Sequence, residues 1–229
     1  MAFKAAIFDM DGLLIDSERA IMRAWIAGAR ELGLAFAESD FVQCVGRAEP
    51  ESDAILVRIL GDRATFEAAR SRAQALLRVQ AAADGHLHDG EPLFPLKDGA
   101  LALLSALRET GVPCAVASSS RVAEIRHRLG GIGVLPFFAA VCGGDEVPRG
   151  KPDPALYLLA AARLATSPHE CIAFEDSENG ARAAQAAGVR VVVVPDLRRP
   201  AEDVIEASHH VLESLDDALE HVPHWFPRL

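Results

Sequence analysis

The sequence has few cysteines, few aromatic residues and a shortage of basic side chains, and these shortages exclude several protein classes. Its four cysteines lie far apart without a CxxC pair, so neither a disulfide scaffold nor a zinc site is predicted. The 23 Lys and Arg residues stand against 33 Asp and Glu, which gives a net charge of −10. Because phosphate backbones and anionic membranes are bound by basic faces, we expect no nucleic-acid and no membrane partner.

Long hydrophobic runs are also missing. The sequence has no uninterrupted apolar stretch of about 18 residues, so a transmembrane helix is not predicted. The chain reaches Asp9 and Asp11 almost at once, which is not typical of a signal peptide. We therefore expect a cytoplasmic protein. Half of the 229 residues are hydrophobic, and a chain of this length can bury a sizeable core.

Short apolar runs that end in polar clusters recur along the chain and predict buried strands followed by exit loops. The strand candidates are residues 5–8, 112–117, 139–142, 171–174 and 189–194. Helical apolar spacing lies between the later strands, at residues 100–108, 122–129, 155–164 and 180–187. Strands that alternate with helices of this length predict an α/β fold with a Rossmann-like parallel sheet.

One long segment breaks this alternation. Residues 17–85 carry helical patterns only, so they predict an all-helical insertion after the first strand. We expect a catalytic core at residues 1–16 and 88–229 and a helical cap at residues 17–87. Trp25 and Phe36 are expected in the core of this cap.

The loops that follow the predicted strands carry most of the polar side chains that could take part in catalysis or bind a ligand. Ligands of open parallel sheets bind beyond the carboxyl ends of the strands. Four carboxylates at one edge would repel each other unless their pKa values rise or a cation binds. Oxygen ligands of this kind suit Mg²⁺. The candidate residues are Asp9, Asp11, Ser118, Lys151, Glu175 and Asp176.

These side chains are also suited to phosphate chemistry. Ser118 and the backbone amides after it could donate hydrogen bonds to phosphate oxygens, and Lys151 could neutralise charge on the transferred group. Asp9 and Asp11 lie two residues apart, so on an extended backbone they point the same way. One carboxylate could attack phosphorus while the other handles a proton.

With these candidate residues in this order, the sequence resembles the haloacid dehalogenase superfamily. The resemblance covers essentially the whole chain, and the helical insertion resembles the cap of the superfamily's phosphatase and β-phosphoglucomutase branch. Segments 8–18, 150–154 and 174–196 are also similar to pseudouridine-5′-phosphatase, although such segments mostly belong to the shared core. Four motifs carry the resemblance, in chain order: Phe8-Asp9-Met10-Asp11-Gly12, Ser118, Lys151-Pro152 and Glu175-Asp176-Ser177.

The resemblance implies a role for each matching residue. Asp9 would be the nucleophile and a Mg²⁺ ligand, and Asp11 the general acid and base, with its backbone carbonyl on the metal. Ser118 and Lys151 would hold the phosphoryl group. Asp176 would bind Mg²⁺, with Glu175 as a further ligand or a neighbour of the ligands.

Substrate contacts are harder to assign. Ser119 is a candidate substrate-binding residue, although Ser119 and Ser120 could equally cap the next helix. Arg47 could reach the substrate from the cap or could be a surface charge. The histidine pairs at 86/88 and 209/210 are interpreted as solvated loop residues.

The resemblance favours a phosphatase over a dehalogenase, a mutase or a signalling module. Superfamily dehalogenases lack the second aspartate, which is Asp11 here. A mutase of the β-phosphoglucomutase type remains the alternative, but its cap histidine corresponds to Ile21 and its distal-phosphate arginine to Glu49, with Arg47 nearby. A phosphotransfer signalling module would be shorter and would carry its acceptor on a middle strand. We expect a Mg²⁺-dependent phosphatase for a small phosphorylated metabolite, as a monomer or homodimer.

Overall fold

The computed structural model describes residues 2–45, 49–82 and 94–227. The chain divides into two compact units. The core unit contains Met1–Ile15 and Leu96–Leu229, and the helical unit contains Asp16–Pro95. The chain returns to the core unit later than the expected boundary at residue 88. Ile15 pairs through single β-bridges with Asp11 and Leu96, which ties the outgoing and returning segments together.

The core unit is built on a six-stranded sheet in the order β3-β2-β1-β4-β5-β6. Every pair of neighbouring strands is parallel, which confirms the predicted α/β fold class. β1 is central, with β2 on one side and β4 on the other. The strands are β1 Ala5–Phe8, β2 Cys114–Ser118, β3 Ala140–Gly143, β4 Cys171–Glu175, β5 Arg190–Val193 and β6 His210–Val211.

The strands are composed as expected for a sheet that is covered on both faces. Every residue of β1, β2, β3 and β4 is buried, and apart from the terminal Ser118 of β2 and Glu175 of β4 these strands are apolar throughout rather than alternating. The short strand β6 was not predicted, because two residues give no periodic signal. His210 therefore pairs with Val192 in the sheet instead of lying in a solvated loop.

Helices follow the strands of the core unit. α7 buries Leu156, Tyr157, Ala160 and Ala161, and α8 buries a row of alanines, so small side chains let both helices pack closely on the sheet. The helices of this unit are α5 Ala100–Glu109, α6 Val122–Gly131, α7 Ala155–Arg163, α8 Glu178–Ala186, α9 Glu202–Glu206 and α10 Val222–Trp225.

The helical unit has an aromatic core of its own. The Trp25 ring lies 6.0 Å from the rings of both Phe36 and Phe66, and all three side chains are buried or nearly so, as expected for Trp25 and Phe36. A Cβ atom on Gly28 would lie 3.0 Å from the backbone nitrogen of Ala73, so α1 and α4 touch at backbone distance there. The described helices are α1 Ser17–Glu31, α2 Glu38–Phe41, α3 Glu49–Leu60 and α4 Arg63–Ala82.

Among the residues that the structure describes, no helix has both the length and the apolar character needed to cross a membrane.

Candidate active site

The strand order brings Asp9, Ser118 and Glu175 to the ends of the adjacent strands β1, β2 and β4. Phe8 of β1 is in register with Val116 of β2 and Phe174 of β4, and the Asp9 amide donates to the Phe174 carbonyl at 3.1 Å. Asp9, Ser118, Glu175 and Asp176 are at most 7% exposed. Because burying a polar group is costly without a partner, the contacts of these side chains decide what the site can do.

Lys151 joins two of these carboxylates. Its Nζ donates to Asp9 Oδ1 and, at 2.5 Å, to Glu175 Oε1, and its side chain is only 6% exposed. Tyr157, the single tyrosine of the chain, donates its hydroxyl to the same Glu175 oxygen at 2.5 Å. Sequence reasoning missed Tyr157, because nothing in its local pattern distinguishes it from a helix core residue.

Glu175 is held at its other oxygen by the start of α8. The Ser177 hydroxyl donates to Glu175 Oε2 at 3.0 Å and accepts from the Gly180 amide at 3.1 Å, so one serine both caps the helix and binds the carboxylate. A Cβ atom on Gly180 would lie 1.8 Å from Glu175 Oε1. Glycine is therefore the residue that lets α8 begin this close to the carboxylate.

Asp11 is bound from α6 and from the segment after β2. Arg128 Nη1 donates to Asp11 Oδ1 at 2.6 Å, and the Ser120 hydroxyl donates to Asp11 Oδ2 at 3.0 Å. The Ser118 hydroxyl lies 3.4 Å from the same Oδ2 and accepts from the Ser120 amide at 3.1 Å. Arg128 belongs to none of the motifs, so no sequence pattern indicated it.

The backbone conformation and the surroundings of Gly12 explain why the first motif ends in glycine. Its φ is +86°, and a Cβ atom there would lie 2.3 Å from Asp176 Oδ2. The turn after Asp11 therefore approaches Asp176 so closely that a side chain would collide with the carboxylate. This approach sets Asp176 beside the first motif.

Three of the carboxylates form a group suited to a metal ion. Asp9, Glu175 and Asp176 each offer an oxygen, and these oxygens all lie within 4.8 Å of one another. Asp11 is the fourth carboxylate at this edge; it pairs with Arg128, whereas Lys151 pairs with Asp9 and Glu175. The oxygen donors of Asp9, Glu175 and Asp176 fit Mg²⁺.

A family model described as haloacid dehalogenase-like hydrolase matches residues 3–188 of the chain. The chain belongs to the haloacid dehalogenase-like hydrolase family. This membership confirms the resemblance that the four motifs predicted.

Two relatives of this hydrolase are named as phosphatases. Hexitol phosphatase A of Escherichia coli (strain K12) is 34% identical over 201 residues, which cover 85% of this chain and 84% of the relative. The phosphorylated carbohydrates phosphatase of Thermotoga maritima is 30% identical over 187 residues, with 81% and 82% covered. A crystal structure of a HAD family hydrolase from Deinococcus radiodurans R1, with bound phosphate and sodium, is 26% identical, with a TM-score of 0.77 and 99% of each chain covered. This chain is a phosphoric monoester hydrolase.

Burial dominates the electrostatics of the hydrolase's central carboxylate. It raises the pKa of Asp9 to about 8, because Lys151 only partly offsets the burial and the neighbouring Glu175 and Asp11 carboxylates add to it. Burial alone would lower the pKa of Lys151, but Asp9 and Glu175 outweigh burial and hold that pKa above its ordinary value. Burial, followed by the Glu175 charge, raises the pKa of Tyr157 well above its ordinary value. Lys151 is therefore a permanent cation.

The two predicted substrate contacts have different outcomes. Ser119 is exposed beside Ser118, and Ser120 is the serine that donates to Asp11. Arg47 lies outside the described residues.

Within the helical unit, a cavity of about 400 Å³ is lined by Ile21 together with Glu18, Trp25, Phe41, Cys44, Val45, Ser52, Asp53, Leu56, Arg70, Ala73, Gln74 and Leu77.

Proposed function

We propose that this hydrolase is a Mg²⁺-dependent phosphatase that acts on a small phosphorylated metabolite, of the sugar phosphate or nucleoside monophosphate kind, through an aspartyl-phosphate. The observation that carries the proposal is the buried Asp9, which shares Lys151 with Glu175 and lies within a three-carboxylate group. A carboxylate in such surroundings is a suitable nucleophile once a cation offsets its neighbours.

The reaction needs two transfers at the Asp9 carboxylate. Asp9 attacks phosphorus, the bond from phosphorus to the leaving oxygen breaks, and Asp11 gives that oxygen a proton. A water molecule then attacks the phosphoryl group and gives a proton to Asp11, while the bond between phosphorus and the Asp9 oxygen breaks. Inorganic phosphate leaves, and the Asp9 carboxylate is restored. Ser118 and Lys151 hold the phosphoryl oxygens during both transfers, with Lys151 opposing the charge that develops there.

The described carboxylates fit the predicted metal. Asp9 and Asp176 would hold Mg²⁺, with Glu175 as a further ligand or a neighbour of the ligands, and the Asp11 backbone carbonyl would complete the protein's share. When bound, the cation supplies positive charge that offsets both the carboxylates and the substrate phosphate. Gly12 supports this assignment, because its lack of a side chain leaves room for the Asp176 carboxylate.

Sugar phosphates are the first substrates to test. Hexitol phosphatase A and the phosphorylated carbohydrates phosphatase are named for such compounds. A mutase remains the alternative, but Ile21, at the position of the mutase cap histidine, has no group that can transfer a proton. Substrate contacts from Ser119 and Arg47, a cytoplasmic location and a monomeric or homodimeric state stay predictions.

The test is phosphate release from a panel of hexitol phosphates, sugar phosphates and nucleoside monophosphates, with Mg²⁺ and with EDTA. Asp9→Asn should lose at least about a thousandfold in kcat, because the amide cannot attack phosphorus. Asp203→Asn serves as the control, since it changes an exposed carboxylate paired with Arg182. Release that persists in Asp9→Asn or in EDTA would contradict the proposal. Isomerised sugar phosphate in place of free phosphate would favour the mutase.

A further inference from the structure

In the described part of the chain, Arg128 is the one side chain outside the four motifs that forms an ion pair with Asp11. It lies on α6, and its Nη1 is 2.6 Å from Asp11 Oδ1. The Arg128 side chain is 16% exposed and that of Asp11 is 27% exposed. An ion pair that is largely shielded from solvent holds its geometry better than a surface pair.

Arg128 is itself held in place from its own helix. Its Nη2 donates to Glu124 Oε1, one turn earlier on α6. The first turn of α6 is fixed in turn, because the Val122 amide donates to Asp145 Oδ1 at 3.0 Å. The guanidinium is therefore held by Glu124, on a helix whose first turn is held by Asp145, as a group that orients another side chain should be.

The two oxygens of Asp11 have different surroundings. Oδ1 accepts from Arg128, whereas Oδ2 accepts from Ser120 and lies 3.4 Å from the Ser118 hydroxyl. Oδ2 is thus the oxygen on the side of Ser118 and Ser120, where the proposed function puts the phosphoryl group. Arg128 does not take a partner away from Oδ2, because it binds the other oxygen.

We propose that Arg128 is a positioning residue for Asp11. By binding Oδ1 of Asp11, Arg128 keeps Oδ2 turned toward the phosphoryl group, and Oδ2 is the oxygen that transfers the proton. This inference rests on the proposed function. In the first transfer the proton passes from Oδ2 to the leaving oxygen, which departs as an alcohol. In the second transfer the attacking water returns a proton to Oδ2. Without Arg128 the carboxylate can rotate about its Cβ–Cγ bond, and fewer encounters are aligned for proton transfer.

A positioning role makes a prediction that depends on the leaving group. An alkoxide needs a proton in order to leave, whereas 4-nitrophenolate is stable enough to leave without one. The ratio kcat/KM reports only the steps up to departure of the leaving group. Loss of Arg128 should therefore lower kcat/KM for an alkyl phosphate far more than for 4-nitrophenyl phosphate.

The experiment compares Arg128→Gln with Arg126→Gln on these two substrates at saturating Mg²⁺. Arg126 is a matched control, because it is an exposed arginine on the same helix. We expect Arg128→Gln to lower kcat/KM about 30-fold for the alkyl phosphate and less than about threefold for 4-nitrophenyl phosphate. Arg126→Gln should change neither value by more than about twofold. Arg128→Lys, which keeps a cation of different shape, should recover part of the alkyl phosphate activity.

The outcomes separate this inference from the proposed function. Equal losses on the two substrates would overturn the inference, because a phosphate-binding or merely structural arginine affects both alike. An unchanged Arg128→Gln protein would overturn it as well. Thermal unfolding of each variant identifies any misfolding, and Arg128→Lys then provides the same ratio on a folded protein. If the unaltered protein releases no phosphate, or if Asp9→Asn retains activity, the proposed function fails and the inference fails with it.

Discussion

The core unit and the helical unit bury different kinds of side chains. In the core unit, buried Asp9, Ser118 and Glu175 lie at strand ends and are bound by named partners. In the helical unit, the described buried positions are apolar or uncharged, and charged pairs such as Arg63 with Glu67 lie at its surface. Stability and chemistry therefore depend on the same residues in the core unit. In the helical unit, the charged side chains nearest the aromatic core, Arg63 and Arg70, only flank it, with guanidinium groups 5.2 Å from the Phe66 ring.

The largest effect is expected from Lys151→Met, which tests whether charge holds the core unit together. Without the ammonium, Asp9 and Glu175 remain buried beside each other, and breaking a buried ion pair costs about 4 kcal/mol. We expect that loss in the free energy of unfolding, measured in urea, and a fall in kcat of roughly a hundredfold or more. Lys4→Met removes the exposed pair with Glu170 and should cost less than about 1 kcal/mol. Equal effects of the two substitutions would show that burial does not matter here.

A smaller and purely structural effect is expected from Phe66→Ala in the helical unit. Phe66 is fully buried against Trp25, so the cavity left behind should cost about 3 kcal/mol. Val79→Ala, on the same helix at a position that is 70% exposed, should change stability by less than about 0.5 kcal/mol.

The two tryptophans of the chain give a direct readout of this prediction. Trp25 lies in the helical unit and Trp225 in the core unit. In a Trp225→Phe background, fluorescence during urea unfolding follows Trp25 alone, and Phe66→Ala should move that transition to lower urea. Hydrolysis of 4-nitrophenyl phosphate, measured in the absence of urea, should fall less than about tenfold. A loss as large as that of Lys151→Met would contradict the division of roles between the units.

The smallest effect is a dependence of stability on pH in the metal-free core unit. In the folded protein the pKa of Asp9 is about 8, whereas in the unfolded chain it is about 3.9. Between these values the folded state holds a proton that the unfolded state has lost, so the free energy of unfolding falls as pH rises. With EDTA present, Tm should fall by roughly 3 °C per pH unit between pH 6 and pH 7.5.

Asp9→Asn is the control for this pH dependence, because it removes the titrating group. Its Tm should change less with pH over the same range, and Mg²⁺ should raise the Tm of the unaltered protein most at the higher pH. Identical slopes for the two proteins would show that Asp9 does not carry the effect.

Much of the fold was predictable from local patterns. The five predicted strands and the four predicted helices of the core unit match the structure to within two residues at each end. Short apolar runs and helical spacing are local properties, so they can be recognised without tertiary information. The exceptions are short: β6, α2, α9 and α10 have between two and five residues, which is too few for a periodic pattern.

The candidate site was predictable where it depends on strand ends and not where it depends on helix packing. Asp9, Ser118, Glu175 and Asp176 follow from the rule that parallel strands present their carboxyl ends at one edge. Arg128 and Tyr157 could not be found in this way. Their contacts depend on which face of α6 and of α7 is turned toward the strand ends, and an arginine or tyrosine in a helix gives no such information.

The sequence by itself determined the parallel sheet, the inserted helical segment and the chemical types collected at the strand exits, because each is written in a few neighbouring residues. Only the tertiary structure decided which oxygen of each carboxylate meets which donor. Lys151 and Glu175 lie 24 residues apart in the chain, and Arg128 and Asp11 lie 117 apart, yet each pair is in hydrogen-bond contact. Such contacts require two elements to be packed in one register, and packing is a property of the whole core rather than of any local pattern.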